Sequence, residues 1–406
     1  MKMKNHRKII LFFTIIITIA VLAYYLCIKD KNANLISDKE IQNKNFLDDK
    51  KAVLYFSSTA DQDLDGKGIS YAIFINKQGV ASGYKMGGLE LGGIGVSDDK
   101  KQVLLESKNT ITFLGENPTT HKIKYQHTGD FNGYLANQKI FVTIYNSGMD
   151  KENGNYNSNV LFGNEKVIHK SNIPHFIISS GLDGGNILVA TQELVTNKYE
   201  LKKLTFNDAT MNIENITALN INGKEDHANL SPILVDSENY YMVMSTIDKD
   251  DPLKGETFLL RTNKATLEQN TIFMYKEENS TATSPFSLDN SAYIYNNELY
   301  FLNGLGDIYT YNPKNNTMSH KFTIDYHVKD GVRYNEQTYF ENDSLYVLRY
   351  DAKRNNKYYI ERYNLTNGRK VSEQEIQGIE SILATVKGGK KVYAYDFKML
   401  LPKTDN

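Results

Sequence analysis

One short pattern recurs from about residue 50 to the C-terminus, and it constrains the fold more than any other feature. A polar turn is followed by three or four apolar residues rich in β-branched and aromatic side chains. Examples are Val53-Leu54-Tyr55-Phe56, Val103-Leu104-Leu105, Ile140-Phe141-Val142 and Ile187-Leu188-Val189. Tyr240-Tyr241-Met242-Val243, Leu299-Tyr300-Phe301-Leu302, Leu345-Tyr346-Val347-Leu348 and Val392-Tyr393-Ala394-Tyr395 continue the series. Marked at Leu54, Val103, Ile140, Ile187, Tyr240, Leu299, Leu345 and Val392, the spacings are 49, 37, 47, 53, 59, 46 and 47. Runs of this length and composition predict strands. A period of about 40–50 residues is that of radially repeated β-sheets.

The turns repeat as well. Asp98-Asp99-Lys100, Ala136-Asn137-Gln138, Asp183-Gly184-Gly185, Asn296-Asn297 and Asn342-Asp343 precede the marked strands. Asn, Asp and Gly tolerate the positive φ that tight hairpins require. Residues 286–324 show the unit most clearly. Ala292-Tyr293-Ile294-Tyr295, Leu299 to Leu302, Asp307-Ile308-Tyr309-Thr310-Tyr311 and Met318-Ser319-His320-Lys321-Phe322 read as four consecutive antiparallel strands. The third alternates in period two, and the second is apolar on both faces, as in a sheet sandwiched between sheets.

This unit resembles the generic repeat of bacterial β-propeller proteins, over about residues 51–397. The resemblance implies a fold and no activity. The fold class is therefore all-β: a single β-propeller behind an N-terminal transmembrane helix. Seven blades are favoured, the chain ends sharing one blade, with six or eight as alternatives. Tandem sandwiches or a solenoid are the competing architectures. The stretch 372–386 departs from the pattern. Ser372 and Glu375 form a capping-box pair, and Ile376, Ile379, Leu383 and Val386 follow at near-helical spacing, although Gly378 interrupts them.

Before the repeat, residues 9–28 carry no charge. Twenty helical residues span ~30 Å, the thickness of a bilayer's hydrocarbon core. Lys2, Lys4, Arg7 and Lys8 precede the run without an acid among them. The positive flank predicts a cytoplasmic N-terminus at 1–8, a signal anchor at 9–28 and an extracytoplasmic C-terminal part. A cleaved signal peptide, or lipid attachment at Cys27, is the alternative. Residues 29–50 are polar and charge-mixed and read as a solvated linker, with Ser37 and Glu40 as a capping-box pair for a short helix. The propeller domain is expected over 51–400.

Cys27 is the sole cysteine, so the exported part has neither a disulfide nor a cysteine metal site. Without the four basic residues ahead of the anchor, 43 basic residues face 48 acidic ones. That balance, with no dense basic stripe, points away from nucleic acid. There is no Trp, which excludes the Trp-bearing repeat motifs of WD40, quinoprotein and sialidase propellers.

Long connections between second and third strands are expected at 58–68, 147–155, 248–255 and 351–356. In a propeller these share a face with the loops joining blades, which predicts one working loop face. The first contains Asp61-Gln62-Asp63-Leu64-Asp65-Gly66. Alternating Asp side chains around a Gly turn suit Ca²⁺, and Asp61, Asp63 and Asp65 are the candidate metal ligands, resembling the first half of an EF-hand loop. The bidentate Glu position of that motif falls on Ala72 and the ninth position on Ile69, so two ligands are missing locally. Asp248, Asp250 and Asp251 are a weaker echo. The glycines at 87, 88, 92, 93 and 95 lack the G-x-G-x-x-G spacing and read as close packing near the axis. No G-x-S-x-G elbow or H-E-x-x-H motif occurs. The reading is a membrane-anchored extracytoplasmic binding or scaffolding module for a protein, peptide or cell-envelope ligand. A hydrolase or lactonase-like propeller enzyme with a metal near the central channel is the alternative.

Overall fold

In the computed structural model, seven antiparallel sheets follow one another around a common axis. The structure describes residues 33–149, 156–221, 226–247, 255–277, 287–324, 335–351, 353–354 and 356–401. The proposed anchor at 9–28 lies outside these residues. Among the described residues, no helix is long and apolar enough to cross a membrane.

Blade one takes its inner strand from the C-terminus, Tyr393–Met399, and its next three from the N-terminal part, Lys50–Ser57, Ile69–Asn76 and Ala81–Gly87. Blades two to seven begin with the inner strands Ile94–Val96, Thr128–Leu135, Phe176–Asp183, Asp226–Asn229 with Leu234–Val235, Ala292–Tyr295 and Gln337–Glu341. Seven of the eight sequence markers begin or lie in second strands. The eighth, Val392, directly precedes the closing inner strand. The unit read at 286–324 is blade six, with strands Ala292–Tyr295, Glu298–Leu302, Asp307–Asn312 and Thr317–Thr323. Its first hairpin turns on Asn296 and Asn297, at φ 50° and 60°, the left-handed pair of a type I′ turn.

Two-sided burial makes the blades stack. Along Lys50–Ser57, Ala52, Leu54 and Phe56 pack toward blade seven against Leu348, Tyr358 and Ile376. Val53 and Tyr55, between them in sequence, pack toward blade two against Ile94, Val103 and Leu105. Successive side chains of a strand point to opposite faces, so an unbroken apolar run serves two interfaces at once.

Near the axis, a hydrogen bond also crosses each junction between blades. Ile94 N donates to Asp396 Oδ2 at 2.9 Å, Asn132 Nδ2 to Glu106 Oε2 at 2.7 Å and Ser180 Oγ to Asp130 Oδ2 at 3.4 Å. Ser179 Oγ donates to Ser231 O at 2.9 Å, Ser291 Oγ to Leu230 O at 2.7 Å, Thr338 Oγ1 to Asn290 O at 3.0 Å and Gln337 Nε2 to Ala394 O at 2.8 Å. Blade five interrupts its inner strand at Ser231-Pro232. Proline has no N–H for a ladder, and Ser231 Oγ there accepts from Val243 N at 2.8 Å.

Two expectations are corrected. The stretch read as a solvated linker is, from Asn34 onward, part of blade one. Leu35–Ile36 pairs in parallel with Ala81–Gly87 and covers its outer edge. The Ser37–Glu40 capping box opens a helix at Asp38–Ile41, as its residues predict, and Ile41 is fully buried beside Phe74 and Leu400. Ile36, Phe46 and Leu47 add to that contact. A few apolar anchors suffice when an open strand edge awaits them. Between 372 and 386, Ser372 and Glu375 belong to the strand Lys370–Ile376, and only Ile379–Leu383 is helical. Gly378, at φ 96°, is the N-cap of that helix. Ile379 and Ile382 wedge between blades seven and one. The near-helical spacing had joined a strand's last buried residue to a separate helix.

Candidate functional site

The seven inner strands leave an open channel along the axis. On the side of the inter-blade loops it widens into a chamber of about 790 Å³, walled in part by Asp61, Glu90, Asp130, Asn229, Asp289 and Lys391. Further along the strands lies a second chamber of about 420 Å³, walled in part by Phe131, Asn132, Leu182, Ile233, Phe340 and Lys398. Leu91, Asp130, Ser180 and Asp289 line both, forming a waist between them. Small residues make room for the wall. A Cβ on Gly93 would stand 2.7 Å from Asn132 Nδ2, and one on Gly181 would stand 2.0 Å from the Ile233 carbonyl. The expectation of close packing at the axis, made for the glycines at 87, 88, 92, 93 and 95, holds for Gly93; Gly87 instead ends the fourth strand of blade one.

The waist is acidic. Asp130 is half-buried and Asp289 is open to the channel, but the protein packed around both desolvates their carboxyls. Burial, with the charge of Asp289 next, pushes the Asp130 carboxyl up to about 7. Burial pushes Asp289 up to about 6, with Lys398 lowering and Asp396 raising it. Asp396 is held differently. It accepts from the amides of Ile94 and Phe397 at 2.9 and 2.7 Å, and Lys398 Nζ lies 3.0 Å away.

Glu106 sits behind the wall, fully buried. Its Oε2 accepts from Asn132 and from the Gly93 amide at 3.3 Å, while Oε1 has no hydrogen-bond partner. Burial pushes its carboxyl from an ordinary 4.5 up to about 7, against the lowering effect of Asn132. The folded state therefore keeps this proton to higher pH than the unfolded chain does. Folding stability should be greatest in mild acid and fall as pH rises from 4.5 toward 7. Asp130 and Asp289 act in the same direction. Glu106→Gln is expected to remove one proton's worth of that slope and to raise stability above pH 7 by at most about 3 kcal/mol. Urea unfolding at pH 5 and pH 8 checks this; a variant less stable than wild type at pH 8 would contradict it.

The three aspartates predicted to bind calcium have separate surroundings. Asp61 lines the channel mouth. Asp63 receives Lys108 Nζ at 3.0 and 3.1 Å on its two oxygens, and also the Gly68 amide and the Tyr125 hydroxyl. The same ammonium lies 2.6 Å from the Gly66 carbonyl. Burial disfavours the Asp63 charge, but the Tyr125 and Lys108 contacts outweigh it and hold the carboxyl below its usual range. Asp65 pairs with Lys390 at 2.9 Å, which lowers its carboxyl too. Two lysines thus stand where the loop's acidity suggested a divalent ion, and they strap the loop to blade two and to the closing segment. Among the described residues, no group of three or more His, Cys, Asp or Glu is arranged to hold a metal. Calcium and EDTA are expected to give one melting curve for the wild-type chain. A calcium-dependent rise abolished by Asp63→Ala would show that the ion displaces the lysines.

Of the other long loops, 147–155, 248–255 and 351–356 lie partly outside the described residues, and Asp248, Asp250 and Asp251 lie wholly outside them. Sequence reasoning missed Glu106, Asp130, Asp289 and Asp396. Each comes from a different blade, so no local spacing connects them. Their shared signal is an acid at or beside an inner strand.

A ring of seven four-stranded units closed by its own C-terminal strand defines the class: a seven-bladed β-propeller with an open, acidic-waisted channel. The chain belongs to the YycP β-propeller family, whose domain model matches residues 45–400. It is 34% identical over 367 residues to the Bacillus subtilis (strain 168) protein YycP, covering 89% of this chain and 92% of that one. Solved structures align with the chain more distantly. A puromycin-hydrolyzing peptidase of Mycobacterium tuberculosis aligns with TM-score 0.47 and 12% identity over 80% of this chain, which spans 50% of the peptidase. A Lactobacillus plantarum protein aligns with TM-score 0.46 and 10% identity over 86% of this chain and 100% of its own.

Proposed function

We propose that this protein is a membrane-tethered, extracytoplasmic binding module that takes a protein, peptide or cell-envelope ligand on its loop face. The observation that carries the reading is the channel mouth. It is a chamber of about 790 Å³ whose wall is assembled from several blades on the face where the inter-blade loops gather. Concave sites with a few convergent polar groups are where ligands bind, and a rigid ring is a scaffold for variable loops. The uncharged run at 9–28 with its basic flank supports the tether and its orientation.

Two measurements test the reading. Protease added outside intact cells should degrade the part after residue 50; full protection would overturn the orientation. A photo-crosslinking side chain at Leu288, exposed in the wall of the mouth, should give a discrete adduct in intact cells. The same side chain at Asn315, in the turn between the third and fourth strands of blade six on the opposite face, should not. Equal labelling from both positions would remove the loop face as the binding surface.

A further inference from the structure

We infer that the channel binds a small organic cation: a ligand with one ammonium group at the waist and an apolar body in the inner chamber. The inference rests on the proposal that the mouth is a ligand site, and it specifies the chemistry of what enters.

The waist presents Asp130 from blade three and Asp289 from the segment leading into blade six. These carboxyls are close enough for the charge of Asp289 to disfavour that of Asp130. Asp130 has the Ser180 hydroxyl at 3.4 Å. Lys398, on the wall of the inner chamber, pairs with Asp396 at 3.0 Å and only its longer-range charge reaches Asp289. Two neighbouring carboxylates repel each other, and a single cation between them relieves that repulsion. An anionic ligand would add to it.

The inner chamber supplies the apolar complement. Phe131, Leu182, Ile233, Tyr293 and Phe340 line it, and Leu182 remains 44% exposed there. Tyr293 and Phe340 stack at 5.7 Å between centroids, with their planes 17° apart, giving a flat, rigid wall. A cavity of about 420 Å³ accommodates a phenylalkyl group. Aromatic walls beside carboxylates also favour cations through the ring quadrupole.

The test is calorimetric titration of the full-length chain with 4-phenylbutylamine, 4-phenylbutan-1-ol and 4-phenylbutyrate. These probes share the apolar body and differ in charge. The amine is expected to bind at least about tenfold more tightly than the alcohol, and the acid least of all. Asp130→Asn/Asp289→Asn should bring the amine to the level of the alcohol while the variant keeps its cooperative melting. Equal binding of amine and alcohol, or an unchanged amine preference in the double variant, would overturn the inference. Failure of all three probes would overturn it as well. In each of those cases, adducts at Leu288 but not at Asn315 would leave the loop-face function standing, so the two failures are separable.

Discussion

A chain that ends at Lys391 is expected not to form the ring. It lacks Tyr393–Met399, the inner strand of blade one, whose pairing runs from Ala52↔Met399 to Ser57↔Tyr393. The loss uncovers Lys50–Ser57, in which Ala52, Val53, Leu54, Tyr55 and Phe56 are all fully buried. An exposed apolar edge of this kind templates aggregation. Two of the junction bonds disappear as well, from Ile94 to Asp396 and from Gln337 to Ala394. Phe397 is fully buried in the interface with blade seven, and Phe397→Ala alone should cost about 3–5 kcal/mol. Losing the whole strand exceeds the marginal stability of about 5–15 kcal/mol typical of a domain. The truncated chain should aggregate on gel filtration and show no cooperative thermal transition. A transition within a few degrees of the full chain would show that the ring closes without its C-terminal strand.

Glu361→Ala is expected to destabilise blade seven by about 3–5 kcal/mol. Glu361 lies inside the blade, 2% exposed. One carboxylate oxygen accepts from Arg349 Nε and from the Tyr363 hydroxyl, both at 2.8 Å, and the other pairs with Lys370 Nζ at 2.8 Å. Truncation takes from the buried guanidinium of Arg349 the counter-ion with the largest effect on it, and Glu336 is the next. The cost comes from stranding a desolvated charge, more than from losing the pair itself. The double variant Arg349→Met/Glu361→Met should therefore recover much of the loss. Urea unfolding of the two single variants and the double variant measures the coupling. A Glu361→Ala change below about 1 kcal/mol, the scale of an exposed pair, would show that water reaches this network.

Much of the architecture was legible along the chain because it is written in local rules. The second strands of all seven blades are apolar on both faces, since each lies between two neighbouring sheets, and this made them stand out at regular spacing. Asn296-Asn297 and Asn342 announced their hairpins because few residues tolerate positive φ. Ser37 and Glu40 announced a cap because both halves of that motif lie within one turn. The docking of residues 34–49 was not legible, since it depends on an edge of Ala81–Gly87 far away in sequence. Gly378 misled for a related reason: a glycine that opens a helix and one that breaks it look alike until φ is known.

The channel belongs to the second kind of information. Asp130, Asp289 and Asp396 are separated by more than a hundred residues from one another, and ring closure alone brings them to one axis. The acidic loop is the converse case. Asp61, Asp63 and Asp65 lie close in sequence and suggested a shared ion, yet Lys108, from blade two, pairs with Asp63 and Lys390, from the closing segment, with Asp65. Periodicity, turn chemistry and capping act over a few residues and can be read in order along a chain. Charge pairing, burial of a carboxyl and the lining of a cavity depend on which distant segments meet, and in a propeller that is settled when the last strand joins the first blade.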